Sequence, residues 1–502
     1  MTDILFGQSY YLRFDPKLYD AMQPYPPLGT LYAASLMREK GYAVALFDAM
    51  LADDTHEWAA ALRQHQPKYA VLFEDNFNYL SKMSLLRMRD AAFTMIAAAK
   101  AQGCIVICGG ADETDHAELY LQHGADYVLT GEGDHTLAEL IDHLEGRHST
   151  PLAAIRSLAY TNADGQIAKT PPRPVISQLD SLPFPAWDLV DRDRYRAIWI
   201  AHHGYYSMNL VTTRGCPFHC NWCAKPIWGQ RYNVRSAANV AEEMAWLKAH
   251  FQPDHIWFMD DIMGIQDRWI ESFAAELEAR GLHIPFKSLN RVDLLLRGRA
   301  ISALAKAGAQ IVWVGAESGS QKILDAMEKG TTVEQIYQAT RELHAHGVKV
   351  AFFLQFGYPG ETREDIELTL KMVRDLMPDD IGISVSYPLP GTRFYDRVKH
   401  ELGEKANWLD SQDLAMLYRG PYRTEFYRQL HTVVHKDYRS RKTWHDLRAL
   451  LKNPAALRGT HLKRAAAMIY HRVTLPGAVA RLDALAALPH DPPRPPNVVL
   501  HG

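Results

Sequence analysis

The sequence predicts an α/β protein of two domains, a doubly wound parallel sheet followed by a part-barrel of six strand–helix units, with a helical C-terminal extension. Three observations carry this expectation. Short apolar runs alternate with helix-length stretches through residues 1–148. After a Pro-rich interval at 149–200 the alternation resumes with a longer period, and beyond about residue 395 the strand-like runs stop. Alternation of this kind is the pattern of a parallel sheet with crossover helices.

In order, strands are expected at 4–6, 44–47, 70–73, 105–107 and 127–129, with helices at 28–40, 85–99 and 117–123 between them. This is a Rossmann-like arrangement, whose ligands sit where the carboxyl ends of the strands converge. Gly109-Gly110 and Gly131-Glu132-Gly133 directly follow two of those strands. Residues 149–200 hold Thr170-Pro171-Pro172-Arg173-Pro174 and Leu182-Pro183-Phe184-Pro185-Ala186-Trp187, which cannot form regular helix. They are expected to be an ordered connector packed over both domains. From 201 to 400, strands are expected at 210–212, 255–259, 286–289, 311–314, 351–356 and 381–385, with helices between them, a partial (β/α)6 barrel. Helix is expected over 410–473, within an extension running from 401 to 502, and a loose tail at 490–502.

At 502 residues, 47% hydrophobic and 23% charged, the chain reads as a soluble globular protein of more than one domain. A net charge of −3 gives no whole-chain argument for nucleic acid. No run of about 18 apolar residues suggests a membrane span, and the first residues lack the features of a signal peptide. Three of the five cysteines fall between positions 216 and 223, which does not resemble a disulfide framework. A reducing cytoplasm, where thiols stay free for metal, is the expected location.

The decisive segment reads Thr212-Thr213-Arg214-Gly215-Cys216-Pro217-Phe218-His219-Cys220-Asn221-Trp222-Cys223. Thiolates favour iron–sulfur clusters or zinc. Three cysteines leave one iron of a [4Fe–4S] cube without a protein ligand, open to a chelating substrate. The bland alternative is structural zinc, which needs four ligands. His219 adjoins Cys220 and would strain a tetrahedral wrap, while Cys104 and Cys108 belong to the other expected domain.

Cys216-x-x-x-Cys220-x-x-Cys223 after a strand, with Trp222 before the last cysteine, resembles the signature of the radical S-adenosylmethionine (SAM) superfamily. Further landmarks fall at expected strand ends: Asp260-Asp261, Asn290-Arg291, Gly315-Ala316-Glu317-Ser318-Gly319, Gly357-Tyr358-Pro359-Gly360-Glu361-Thr362 and Tyr387-Pro388-Leu389-Pro390. With the first sheet, they resemble the cobalamin-binding subgroup, which includes methylases and the anaerobic cyclase of the chlorophyll pathway. The resemblance implies that Cys216, Cys220 and Cys223 ligate a [4Fe–4S] cluster whose fourth iron is chelated by SAM. It places the ammonium of SAM near Asp260 or Asp261, and its carboxylate near Arg291. The ribose or methionine part would lie near Glu317, and the adenine near the backbone of Gly357. Glu361 is read as a helix cap.

The same resemblance implies cobalamin at Gly109, Gly110, Gly131 and Gly133, where a corrin resting on backbone would tolerate no side chain. The Asp-x-His-x-x-Gly motif of other cobalamin proteins is absent, since Asp115-His116 lacks its spacing. The cobalt would then have no histidine below it. The implied activity is reductive cleavage of SAM to a 5′-deoxyadenosyl radical, and with cobalamin the methylation of an unactivated carbon. The alternatives are an oxidative cyclase using the same radical, and a non-catalytic iron–sulfur or cobalamin sensor. The expected substrate is a small molecule, a lipid or a pigment, and the expected electron donor a flavodoxin or ferredoxin. Residues 436–472 carry ten Lys and Arg against two acids, so peripheral membrane contact is a further expectation. The aromatic segment 418–427 is expected to cover the barrel mouth.

Overall fold

The computed structural model describes residues 2–147, 149–225, 227–403, 405–450 and 459–488. The tail expected at 490–502 lies outside them, as do Lys452 and Arg458 of the basic segment. In the first domain β1 (Ile4–Gly7), β2 (Val44–Leu46), β3 (Tyr69–Phe73), β4 (Ile105–Gly109) and β5 (Tyr127–Leu129) are parallel, and β6 (Leu158–Thr161) and β7 (Ile167–Lys169) follow. The order is β2-β1-β3-β4-β5-β6-β7. The central strands read as unbroken apolar runs, such as Tyr69-Ala70-Val71-Leu72-Phe73, because both of their faces are covered.

The 149–200 segment differs from the expected connector. Strands β6 and β7 lie inside it and extend the first sheet antiparallel, through pairs such as Val128 with Ala159 and Tyr160 with Ala168. Its end is already helical, over Arg192–His203. The buried Trp187 and Trp199 tie it down, donating their indole N–H groups to Glu243 at 2.9 Å and to the Pro24 carbonyl at 2.8 Å.

The second sheet comprises β8 (Ser207–Leu210), β11 (His255–Phe258), β12 (Phe286–Asn290), β13 (Ala309–Glu317), β14 (Lys349–Phe356) and β15 (Asp380–Val385). All its pairs are parallel, and β15 and β8 remain the two edges of an open half-barrel. Residues that alternate along these strands, among them Ile256, Phe286, Val312, Val314, Phe352 and Ile383, join one buried core with the helices outside. Helix Val333–Ala345 shows how the sequence builds that layer. Thr332 and Gln335 close its N-terminus as a capping box, and Ile336, Ala339, Thr340 and Leu343 bury one face.

The extension is less helical than expected. Residues 410–423 form irregular structure, and helix begins at Thr424–Leu450, followed by Gly459–Ala486, which carries Pro476 inside it. The irregular part is pinned by contacts with distant chain. Ser411 Oγ donates to Asp15 at 2.7 Å, and the Tyr418 hydroxyl donates to the Gly357 carbonyl.

Candidate active site

The cysteine loop leaves the carboxyl end of β8 and is fixed at both ends. At its start Asp260, the second residue after β11, accepts from Thr212 N at 2.7 Å, Thr212 Oγ1 at 2.6 Å and Thr213 N at 2.9 Å. Burial pushes its carboxyl up to about 6, while these donors pull the other way. The short strands β9 (Thr213–Arg214) and β10 (Asn233–Val234) pair antiparallel and close the loop behind the cysteines. Gly215 has φ +85, and a Cβ there would lie 2.5 Å from the Arg231 carbonyl oxygen, so no other residue fits.

All three thiols are half-buried and feel one another electrostatically. Burial pushes Cys216 up and Cys223 up to about 12, so these groups are neutral without a metal. A metal that takes them as thiolates must displace protons, which links binding to folding of the loop. Cys104 and Cys108 are buried in the first domain, the latter on β4. The donor set therefore fits a cluster held by three cysteines, with one iron left for another ligand. Asn221, between Cys220 and Cys223, locks the loop to the barrel. Its side chain donates to the Ala326 carbonyl at 2.9 Å and accepts from the Tyr358 hydroxyl at 2.8 Å.

Around the loop lies a cationic group that sequence reasoning found only in part. Arg291 places Nη1 3.7 Å from Cys220 Sγ and its guanidinium carbon 3.7 Å above the Phe218 ring. Asp293 and the Lys329 carbonyl orient it. Lys329, which no motif pointed to, pairs with Glu317 at 2.7 Å, and both are buried. Glu317 holds φ +56, an uncommon conformation for a side chain of this size, beside a register shift in the β13–β14 pairing. Gly315 leaves room for this pair as it stands: a Cβ there would meet Glu317 Oε1 at 2.5 Å and Lys329 Nζ at 2.6 Å.

Asp261 and Glu361 are each held by the chain itself. Asp261 pairs with Lys82 of the first domain, whose ammonium also sits 5.1 Å from the Trp228 ring. Glu361 is not the helix cap. Thr362 caps Arg363–Leu376 with Asp365, while Glu361 accepts from Gly357 N at 2.7 Å and burial pushes its carboxyl up to about 8. Gly357 has φ +83 and its carbonyl accepts from the Tyr418 hydroxyl. With Met416 and Tyr427 against the same glycine, the aromatic segment covers this turn.

The glycines of the first sheet are packed rather than bare. A Cβ at Gly109 would touch Leu129 at 3.1 Å, at Gly133 Phe73 at 3.0 Å, and at Gly110 Glu113 Oε2 at 2.5 Å. Side chains, not an open shelf of backbone, explain these three. Gly131 has φ +71 and faces the Ile227 carbonyl across the domain boundary. What this edge does offer is a set of buried polar atoms with no partner among the described residues: Gln8 Nε2, Glu74 Oε2, Asn76 Oδ1, Ser84 Oγ and both oxygens of Glu113. Each such atom costs about 1–3 kcal/mol until paired. Burial pushes Glu74 up to about 8 and Glu113 well up, so both carboxyls can donate as well as accept. The set fits a ligand rimmed by amides, as cobalamin is.

A buried ion pair also joins the two halves of the site. Arg214, two residues before Cys216, is buried and ion-paired to Glu132 at 2.5 Å and Asp134 at 3.1 Å. Its guanidinium also lies 5.4 Å from the Tyr32 ring and 5.6 Å from that of Phe77. Phe77 in turn stacks on Trp228 at 4.9 Å. The carboxyl edge of the first sheet thus faces the cysteine loop directly.

Comparison with known proteins agrees with this geometry. The Radical SAM superfamily model matches residues 210–373, and the B12 binding domain model matches residues 20–141. An uncharacterised methyltransferase of Pyrococcus horikoshii is 30% identical over 391 residues, covering 76% of this chain and 81% of its own. The anaerobic magnesium-protoporphyrin IX monomethyl ester cyclase of Rubrivivax gelatinosus is 26% identical, over 77% of this chain and 68% of its own. The structure of the radical SAM methyltransferase TsrM from Kitasatospora setae, with cobalamin and a [4Fe–4S] cluster bound, superposes with a TM-score of 0.63. It is 18% identical and covers 80% of this chain and 75% of that one, a likeness of fold. This chain belongs to the cobalamin-binding radical SAM superfamily, whose enzymes use a [4Fe–4S] cluster, SAM and cobalamin.

Proposed function

We propose that this enzyme transfers a methyl group to an unactivated carbon of a small molecule. The observation that carries the reading is the Arg214 ion pair, which sets the cobalamin-type edge of the first sheet against the cysteine loop. When bound, the cluster supplies the electron that splits SAM and cobalamin supplies a carrier for its methyl group. The chain's own residues orient these groups. Cys216, Cys220 and Cys223 hold the cluster, and Arg291 and Lys329 bring positive charge against it. Arg291, Glu317 and the backbone of Gly357 are the proposed SAM contacts, with Asp260 holding the loop that presents the cysteines.

A second reading, cyclisation by the same radical without net methyl transfer, is favoured by the cyclase among the relatives. The products of SAM separate the two. With the cluster and cobalamin loaded and a reductant present, methyl transfer leaves S-adenosylhomocysteine. Formation of 5′-deoxyadenosine with no S-adenosylhomocysteine above a cobalamin-free control would favour the cyclase.

A flavodoxin or ferredoxin is the inferred electron donor, and a reducing cytoplasm the inferred location, since the three thiols must stay available to iron. Among the described residues no helix is long and apolar enough to cross a membrane. Peripheral contact is supported by the paired C-terminal helices, where Trp444, Ile469, Tyr470 and Val473 are exposed and Lys436, Arg448 and Arg472 lie over Tyr470 or Trp444. The protein should sediment with vesicles of phosphatidylcholine and phosphatidylglycerol. Ile469→Glu with Val473→Glu should weaken that association about tenfold. Equal sedimentation of variant and parent would remove this surface from the account.

A further inference from the structure

The concave face of the half-barrel is unlike its convex face. On β11, β12, β13 and β14 the positions that alternate with the core residues include the half-buried Trp257, Lys287, Trp313 and Phe353. Their rings line the face in two groups. Trp313 and Phe353 lie 4.6 Å apart, and Gly382 on β15 makes room for both rings, since a Cβ there would meet them at 3.2–3.3 Å. Trp257 meets Tyr25 at 4.9 Å, and Tyr25 is held by its hydroxyl to Ser207 at 3.0 Å.

Lys287 is the unusual member of this lining. Its ammonium lies 3.9 Å from the centre of the Trp257 ring and 5.5 Å from that of Tyr25. It makes no hydrogen bond and no ion pair among the described residues, although Asp380 on β15 lies within electrostatic reach. Desolvation brings the ammonium down to about 7, the cost of holding a cation without a close counter-ion. An apolar residue would pack beside these rings without the cost of burying a charge that has no close counter-ion. The neighbouring rings attract a cation and also offer flat apolar area to a ligand.

We propose that Lys287, on this concave face, anchors an oxyanion, carboxylate or phosphate, on a substrate whose planar or apolar body lies along Trp257, Trp313 and Phe353. Lys287 and Arg291 are four residues apart on and just beyond β12, and Arg291 touches the cysteine loop. At about 3.3 Å per residue these two cations are roughly 13 Å apart along the chain, which sets the anchor about that far from the residue that touches the cysteine loop. The identity of this ligand as substrate rests on the proposed radical chemistry, but the binding itself is read without turnover.

The test uses cluster-loaded protein with SAM present and no reductant, so that the SAM site is filled. 1-Pyrenebutyrate and its neutral analogue 1-pyrenebutanol are titrated by fluorescence. The acid should bind saturably and about tenfold more tightly than the alcohol, as expected for a charge-assisted contact. Lys287→Met, checked for unchanged iron content, should abolish that preference, and Lys287→Arg should keep it. Equal affinity for acid and alcohol in the unaltered protein would overturn the proposal, as would a preference that survives Lys287→Met. The comparison of the two probes is made on the native chain, so it decides the matter even if the methionine variant misfolds. Absence of S-adenosylhomocysteine in the product assay would count against methyl transfer and leave this site standing.

Discussion

Replacing Cys216, Cys220 and Cys223 together by alanine should take the anaerobically reconstituted protein from about four irons per chain to none. Its visible absorption should vanish and cleavage of SAM should fall to background. The fold should survive, because the loop is anchored by Asp260 at its start, by the β9–β10 pair behind it and by Asn221 in its middle. Cys104→Ser with Cys108→Ser is the matched control, and it should keep both iron and SAM cleavage, since these thiols are buried in the first domain. Iron counting with activity in the two variants checks both halves. Retention of iron by the triple variant would remove the cluster assignment.

The largest effect on stability is expected at Arg214→Met. That change leaves Glu132 and Asp134 buried with their shared cation gone. Removing one partner of a buried pair costs about 3–5 kcal/mol. Burial already holds Glu132 above the usual carboxylate range, with Arg214 pulling it down. Without the guanidinium its folded-state value rises further. A carboxyl raised on folding is stabilising while protonated and loses that contribution as pH rises through its folded value. The deficit of the variant should therefore shrink as pH falls from 8 towards 5. Denaturation measured across that range checks the sign, and Glu132→Gln with Asp134→Asn in the Arg214→Met background should recover part of the loss. A deficit that grows on acidification would contradict the buried-pair account.

Much of this architecture is legible in the chain because its signals are local. The apolar runs that become β1, β3 and β4 are buried on both faces, as strands inside a covered parallel sheet are. The cysteine spacing is likewise local, since one loop supplies all three thiols. What stayed hidden depends on partners distant in sequence. Strands β6 and β7 are four and three residues long, lie among prolines, and exist because β5 offers an unpaired edge. Lys329 follows a short helix in a polar run, and only the fold brings it to Glu317. Asp260 also holds the start of the loop through Thr212 and Thr213; an aspartate beside a strand end has the same local appearance whether it serves a loop or a ligand. Arg214 sits in plain view within the cysteine motif, yet its partners are some eighty residues earlier.

Electron paramagnetic resonance of the reduced cluster, with and without SAM, is the most direct test that Cys216, Cys220 and Cys223 hold a cluster open to SAM. If they do, the signal shifts when SAM is added, and 5′-deoxyadenosine and methionine form in equal amounts. A signal indifferent to SAM, with SAM recovered intact, would contradict the account.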